Sequence, residues 1–299
     1  MDLYCVMGNP VEHSRSPWIQ ARFAELTGQT LDYRRRLVPL GGFAEAVAAF
    51  RADPAGTARG CNVTVPFKFD AAEVAAGRLT PRAALAGAVN TLVFEDPATG
   101  GAIGGDNTDG AGLVNDIVRN AGVALDGRDV LLIGAGGAAA GVLGPLIEAG
   151  ARRVAVANRT LDKAIALVRR HTDLAHAHGT RLEACELQAV PGDFDIVVNA
   201  TASSLAGADV PVAARVLRPG ALAVDMMYGP AAAGFMAWAE AHGAVPRDGL
   251  GMLVEQAAEA FERWRGVRPP AAQVLAELRE VLRTAGAAVP PAAVPARER

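Results

Sequence analysis

The stretch "DVLLIGAGGAAAGV", residues 129–142, decides the fold. Apolar residues 130–133 run straight into Gly134, Ala135, Gly136, Gly137 and Ala138, and then into a series of small residues suited to a helix. A dinucleotide-binding turn needs that context. Gly134 permits the tight reversal, Gly136 and Gly137 let backbone N–H groups approach a pyrophosphate, and the helix N-terminus favours anions. Ala139 takes the third glycine position and still allows close helix packing. Glycine turns are common in an Ala/Gly-rich chain, so the weight rests on the strand before and the helix after.

The following strand bears on the cofactor. An NAD-binding unit usually ends its second strand on a carboxylate that takes the ribose hydroxyls. Here RVAVANRT ends in Asn158, Arg159 and Thr160, with Lys163 a helical turn later. A guanidinium in place of the carboxylate suits a 2′-phosphate, which points to NADP. The plainer alternative makes Arg159 a surface charge, Thr160 an N-cap, and Asp162 a partner for Arg159 or Lys163.

Outward from this turn the chain alternates. Strands are expected at 3–7, 31–38, 61–65 and 88–94, and again near 129–133, 153–157, 194–199 and 221–225. Helical spacing covers 17–27, 42–52, 67–77, about 109–120, and 249–283. Such alternation implies crossover connections and mainly parallel sheets, an α/β class. The length of 299 residues fits two domains. The expected division is residues 1–107 as an α/β substrate domain completed by helices of 249–283, and 108–248 as a Rossmann-type domain. Residues 284–299, rich in Ala and Pro, are expected to be a disordered tail.

Composition excludes several classes. Charged residues make up 20% and the net charge is −3, without a basic cluster, which argues against nucleic acid as a partner. No apolar run approaches the roughly 18–20 residues of a membrane span, and the N-terminus shows no charged segment followed by an apolar one. Cys5, Cys61 and Cys185 have no metal or disulfide spacing. A cytoplasmic location is expected, with no metal. His171, His176 and His178 lack carboxylate or cysteine partners at ligand spacing and are set aside as well.

A second stretch, CNVTVPFKFD (61–70), ends an apolar run on a lysine preceded by Asn62 and Thr64. The ordinary reading makes Lys68 a helix-opening surface charge. Ser14 and Ser16, just before Pro17, present two hydroxyls near an expected helix N-terminus, where a carboxylate would be welcome. Asn90, inside an apolar run, needs a hydrogen-bond partner if buried.

Taken together, GNPVEHSRSP (8–17), NVTVPFK (62–68), LAGAVNT (85–91), DNTDGAG (106–112), GAGGA (134–138), NRT (158–160), DMMYGP (225–230) and DGLGMLVEQAA (248–258) resemble the shikimate dehydrogenases from about residue 4 to 281. The resemblance implies reversible NADPH-dependent reduction of 3-dehydroshikimate to shikimate at a cleft between the two domains. It implies Lys68 and Asp109 as catalytic residues over the reacting oxygen, a lysine being apt because desolvation draws an amine toward neutrality. Which of the two passes the proton stays open. It places Ser14 and Ser16 on the substrate carboxylate with Tyr228 near it, and Thr64, Asn90 and Gln256 on the ring hydroxyls with Asn62 close by. For Tyr228 the alternative is packing against Phe235. On the nicotinamide side it suggests backbone of Thr201, Met226 and Gly249.

Some positions depart from the family pattern. Ala140 stands where many members carry arginine, Lys163 where arginine is frequent, and Pro81 where an acidic residue occurs; NATASSLAG (199–207) also differs. Asp106 is either a turn residue or a second charge in the cleft. The alternatives are a quinate/shikimate dehydrogenase with NAD or relaxed substrate choice, and a non-catalytic nucleotide-binding regulator. A homodimer is an expectation that no motif carries.

Overall fold

The computed structural model describes residues 1–95, 101–201 and 210–287. The chain opens β1 (Asp2–Gly8), α1 (Ser16–Thr27), β2 (Asp32–Leu37), α2 (Phe43–Arg51) and β3 (Thr57–Val63). Then come α3 (Lys68–Val74), α4 (Pro81–Ala86), β4 (Thr91–Phe94) and β5 (Ile103–Asp106), which complete a sheet of order β2-β1-β3-β4-β5. The first three strands are parallel, as expected of helical crossovers, whereas β4 and β5 pair antiparallel.

Helix α5 (Asp109–Asn115) leads out of this unit and continues as one π-helical turn over Asp116–Asn120. The second sheet follows with β6 (Asp129–Ile133), α6 (Gly137–Glu148), β7 (Arg153–Asn158), α7 (Leu161–Ala177), β8 (Arg181–Glu186), β9 (Phe194–Asn199), β10 (Leu217–Asp225), α8 (Ala233–Ala241) and β11 (Val245–Arg247). Its order, β11-β10-β9-β6-β7-β8, is all parallel and reverses between β6 and β9, the switch point of a dinucleotide-binding sheet. Strands β6, β7 and β9 are buried on both faces, which explains their continuous apolar runs. Helices α9 (Leu250–Arg265) and α10 (Ala271–Ala287) return to the first unit, where Phe261, Val254 and Val274 bury against Ile19 and Phe23 of α1.

Several expectations shift. The strand expected at 61–65 ends at Val63, and Thr64–Phe67 turn the chain so that α3 begins on Lys68. Asn90 precedes β4 rather than lying within it. Residues 284–287 belong to α10, not to a tail, while 288–299 lie outside the described residues. Helix α4 and strands β5, β8 and β11 were not anticipated. The first is barely a turn and a half long, though Thr80 caps it from the side chain, Pro81 opens it and Gly87 closes it in the left-handed region.

Candidate active site

The turn at Thr64–Phe67 is buried through Phe67, which stacks on Phe43 with ring centroids 5.4 Å apart, and it aims Lys68 away from the core. Lys68 Nζ lies 2.5 Å from Asp109 Oδ2, with both side chains largely buried. The other Asp109 oxygen accepts the Asn90 amide at 2.8 Å. Asn90 also donates toward Thr108 Oγ1 (2.9 Å) and Gln256 Oε1 (3.3 Å), and its side-chain Oδ1 accepts the Thr108 N–H at 2.8 Å. The lysine, the aspartate, Asn90 and Gln256 thus come together from α3, α5, the start of β4 and α9. Residues far apart in sequence share one polar wall.

Asp106 is neither a turn residue nor a cleft charge. Buried beside the wall, it takes both arms of Arg82 at 2.7 and 2.8 Å and the Thr80 hydroxyl at 2.6 Å. Burial alone would raise its carboxyl, but the Arg82 and Thr80 bonds overcome that and hold it below the usual range. Asp106 also accepts the Asn107 N–H at 2.7 Å, and Asn107 Oδ1 accepts the Asp109 N–H at 3.2 Å, so the pair fixes the backbone that carries Asp109. Arg82 carried no sequence signal, and Asn107 lay within the DNTDGAG block without an assigned role.

Ser14 and Ser16 sit side by side at the entrance of α1, Ser14 Oγ donating to Ser16 Oγ at 3.2 Å. The N-cap position is Arg15, whose side chain makes no capping bond. The Tyr228 hydroxyl reaches the His13 carbonyl at 3.4 Å, and burial raises its pKa. Tyr228 packs with the α1 and α9 cluster, whereas Phe235 packs on Trp238 elsewhere, so the packing alternative for Tyr228 falls. Thr64 is half-buried, with its N–H bonded to the Met7 carbonyl. Asn62 bonds within the scaffold: its side-chain Oδ1 accepts the Tyr33 hydroxyl at 2.7 Å and its amide reaches Thr91 Oγ1 at 3.1 Å. Met252, one helical turn before Gln256, is buried in the core around Leu113.

Across the cleft, Gly134 has φ +114°, a left-handed value that favours glycine. Gly136 stands at the N-cap of α6 without a side-chain bond, and a Cβ there would meet nothing within 4 Å. Open space in front of unbonded helix N–H groups fits a nucleotide pyrophosphate. Ala135 and Ala138 flank the turn half-buried, while Ala140 is buried in the core. Asn158 closes β7 with its amide on the Thr160 carbonyl (2.8 Å), and Thr160 holds the N-cap position of α7 without a side-chain bond. Arg159 and Lys163 are exposed and make no ion pair among the described residues, so Asp162 does not neutralise them. Thr201, Met226 and Gly249 form a common rim. Thr201 bonds to Asn199 Oδ1 at 2.7 Å, the Met226 N–H to the Asn199 carbonyl at 3.0 Å and the Gly249 N–H to the Met227 carbonyl at 2.8 Å, while buried Asp225 takes the Asn199 amide at 3.1 Å. Asn199 and Asp225 are positioning groups that sequence reading missed; the signal was a polar residue closing each apolar strand.

A parallel sheet with a glycine turn and a basic, carboxylate-free second strand end, facing a Lys–Asp pair in a polar cleft, defines an NADP-dependent oxidoreductase of two domains. Three family descriptions match in order: the shikimate dehydrogenase substrate binding domain over residues 6–92, shikimate/quinate 5-dehydrogenase over 116–225, and the shikimate 5′-dehydrogenase C-terminal domain over 249–279. The chain is 64% identical over 281 residues to the Shikimate dehydrogenase (NADP(+)) of an Acidovorax species, covering 94% of this chain and 97% of that one. The corresponding protein of Paracidovorax citrulli is 66% identical, with 94% and 98% covered. Among solved structures, shikimate 5-dehydrogenase of Thermus thermophilus in complex with NADP(H) and shikimate superimposes with TM-score 0.77 at 31% identity, covering 94% of this chain and 99% of that one. The chain belongs to the shikimate dehydrogenase family.

Proposed function

We propose that the chain catalyses the reversible NADPH-dependent reduction of 3-dehydroshikimate to shikimate. The observation that carries this reading is the Lys68–Asp109 pair at 2.5 Å, held by Asn90 and Gln256 and facing the glycine turn of the nucleotide half. NADPH, when bound, supplies the hydride. Lys68 and Asp109 serve the other half of the reaction: one gives a proton to the carbonyl oxygen as it becomes an alkoxide, and takes it back in reverse. The aspartate orients the ammonium and is itself oriented by Asn90.

Ser14, Ser16 and Tyr228 take the substrate carboxylate, and Thr64, Asn90 and Gln256 take ring hydroxyls. Asn62 supports them through Tyr33 and Thr91. Gly134, Ala135, Gly136, Gly137 and Ala138 receive the pyrophosphate; Asn158, Arg159, Thr160 and Lys163 receive the adenosine end; Thr201, Met226 and Gly249 offer backbone to the nicotinamide. Residues 1–107 with α9 and α10 serve the substrate and residues 108–248 the cofactor. Among the described residues no helix is long and apolar enough to cross a membrane. Cytoplasmic residence and a homodimer belong to the same reading, and light scattering on the purified chain tests the latter.

The test is spectrophotometric: the chain is given shikimate or quinate with NADP⁺ or NAD⁺. Reduction of NADP⁺ with shikimate at the highest kcat/KM supports the reading. A preference for quinate or NAD⁺, or no turnover with any pair, contradicts it.

A further inference from the structure

Strand β2 carries three consecutive arginines, Arg34, Arg35 and Arg36. Alternation places Arg34 and Arg36 on one face of the sheet, and each has a carboxylate: Arg34 pairs with Asp32 at 2.5 Å and Arg36 with Asp53. Arg35 points to the other face, with Tyr33, and has no carboxylate partner among the described residues. Its guanidinium instead donates from Nε and Nη2 to the backbone carbonyl of Ser14, at 2.9 and 2.7 Å.

Those two bonds hold the loop that carries both serines. The loop is closed by the Ser14 N–H on the Val11 carbonyl (3.1 Å), and the Tyr228 hydroxyl reaches the neighbouring His13 carbonyl. The one carboxylate in the loop, Glu12, is turned back onto the Val11 N–H at 3.0 Å. His13 and Arg15 are exposed beside it. An unneutralised guanidinium therefore sits on the backbone of the segment that carries both hydroxyls, and its charge reaches the Tyr228 phenol as well. Fixing a cation there has an electrostatic consequence, since it favours an anion at the serines and draws one in from solution.

We propose that Arg35 is a positioning residue for the substrate carboxylate: it clamps the Ser14–Ser16 loop through the Ser14 carbonyl and supplies the positive field in which the anionic substrate docks. This rests on the reading that the serines receive that carboxylate. Arg35 does not touch the reacting atoms, so its loss acts on substrate affinity and leaves the chemical step alone. Because the side chain is exposed, replacing it leaves no buried group unpaired.

Steady-state kinetics of Arg35→Gln and Arg35→Lys test this, with Ser14→Ala as the control. Arg35→Gln is expected to raise the KM for shikimate about five- to tenfold, with kcat within about twofold and the KM for NADP⁺ unchanged. In the wild type that KM rises with salt toward about 0.5 M, and the rise is lost in Arg35→Gln. Arg35→Lys restores the salt dependence but recovers affinity only in part, because an amine cannot give the two-pronged bond. A KM within about twofold of wild type in Arg35→Gln, or an equal disturbance of kcat and of the KM for NADP⁺, overturns the role of Arg35. If Ser14→Ala leaves the KM for shikimate unchanged, the carboxylate reading falls and the proposal falls with it. If Ser14→Ala raises it and Arg35→Gln does not, only the role of Arg35 is lost.

Discussion

A Cβ added at Gly137 would stand 3.2 Å from the Cβ of Lys68, so the nucleotide turn and the lysine proposed for proton transfer lie close together across the cleft. Gly137→Ala forces that lysine to shift by a few tenths of an ångström. The expected result is a kcat lower by about three- to tenfold, since small misplacements at reacting groups are costly. Gly136→Ala meets no protein atom within 4 Å and should leave Tm unchanged while raising the KM for NADPH. Parallel kinetics and melting curves of the two variants check both statements, and equal effects would count against the assignment.

Arg159 is exposed and unpaired among the described residues, which leaves its guanidinium available to a 2′-phosphate. Arg159→Asp should weaken NADPH by about 10–100-fold, the worth of a charge-assisted bond, and leave NADH within a few-fold. Titration of both cofactors by fluorescence measures this. Equal losses for the two would mean that the residue does not read the phosphate.

Buried Asp116, just past the end of α5, and half-buried Arg247, at the end of β11, form a two-bond pair at 2.7 and 2.5 Å. Gly251 lies so near Asp116 that it has no room for a Cβ. Arg247→Ala strands the carboxylate, and a loss of about 3–5 kcal/mol is expected. Calorimetry would show a fall in Tm of roughly 5–15 °C. An unchanged Tm would remove the pair from the account of how the two units are joined.

His171, fully buried on α7, bonds through Nδ1 to the Leu167 carbonyl at 2.9 Å and leaves Nε2 without a partner among the described residues. Burial lowers its pKa, with the Arg170 charge adding to the effect. Below its unfolded value, about 6.5, the unfolded chain binds a proton that the native chain refuses. The stability from neutral His171 is therefore present above about pH 6.5 and lost as pH falls through the folded pKa. His171→Leu should flatten the dependence of Tm on pH between about 5 and 7. The same slope in both proteins would refute the assignment.

What was legible in the sequence was local or periodic. The turn at Gly134–Gly137 shows itself because a buried strand, glycines and a small-residue helix are contiguous, and Arg159 follows in the next strand. Lys68 needed Asp109, forty-one positions on, and only a family likeness joined them. Asn62 stood near the ring hydroxyls only through the family likeness; its side-chain oxygen takes the Tyr33 hydroxyl, and nothing local says so. Asp106 and Arg82 are likewise joined only by the fold. β8 reads poorly because none of its residues is fully buried and charged Arg181, Glu183 and Glu186 break up its apolar ones, and β11 is too short to show a period.

The central claim is that Lys68, paired with Asp109, carries the proton path. Its most direct test is kcat of Lys68→Ala at saturating shikimate and NADP⁺, alongside the Kd for NADP⁺. A fall in kcat of about 10²–10⁴ with Kd nearly intact is the expected result. A fall of less than about tenfold, with the cofactor still bound, would contradict it.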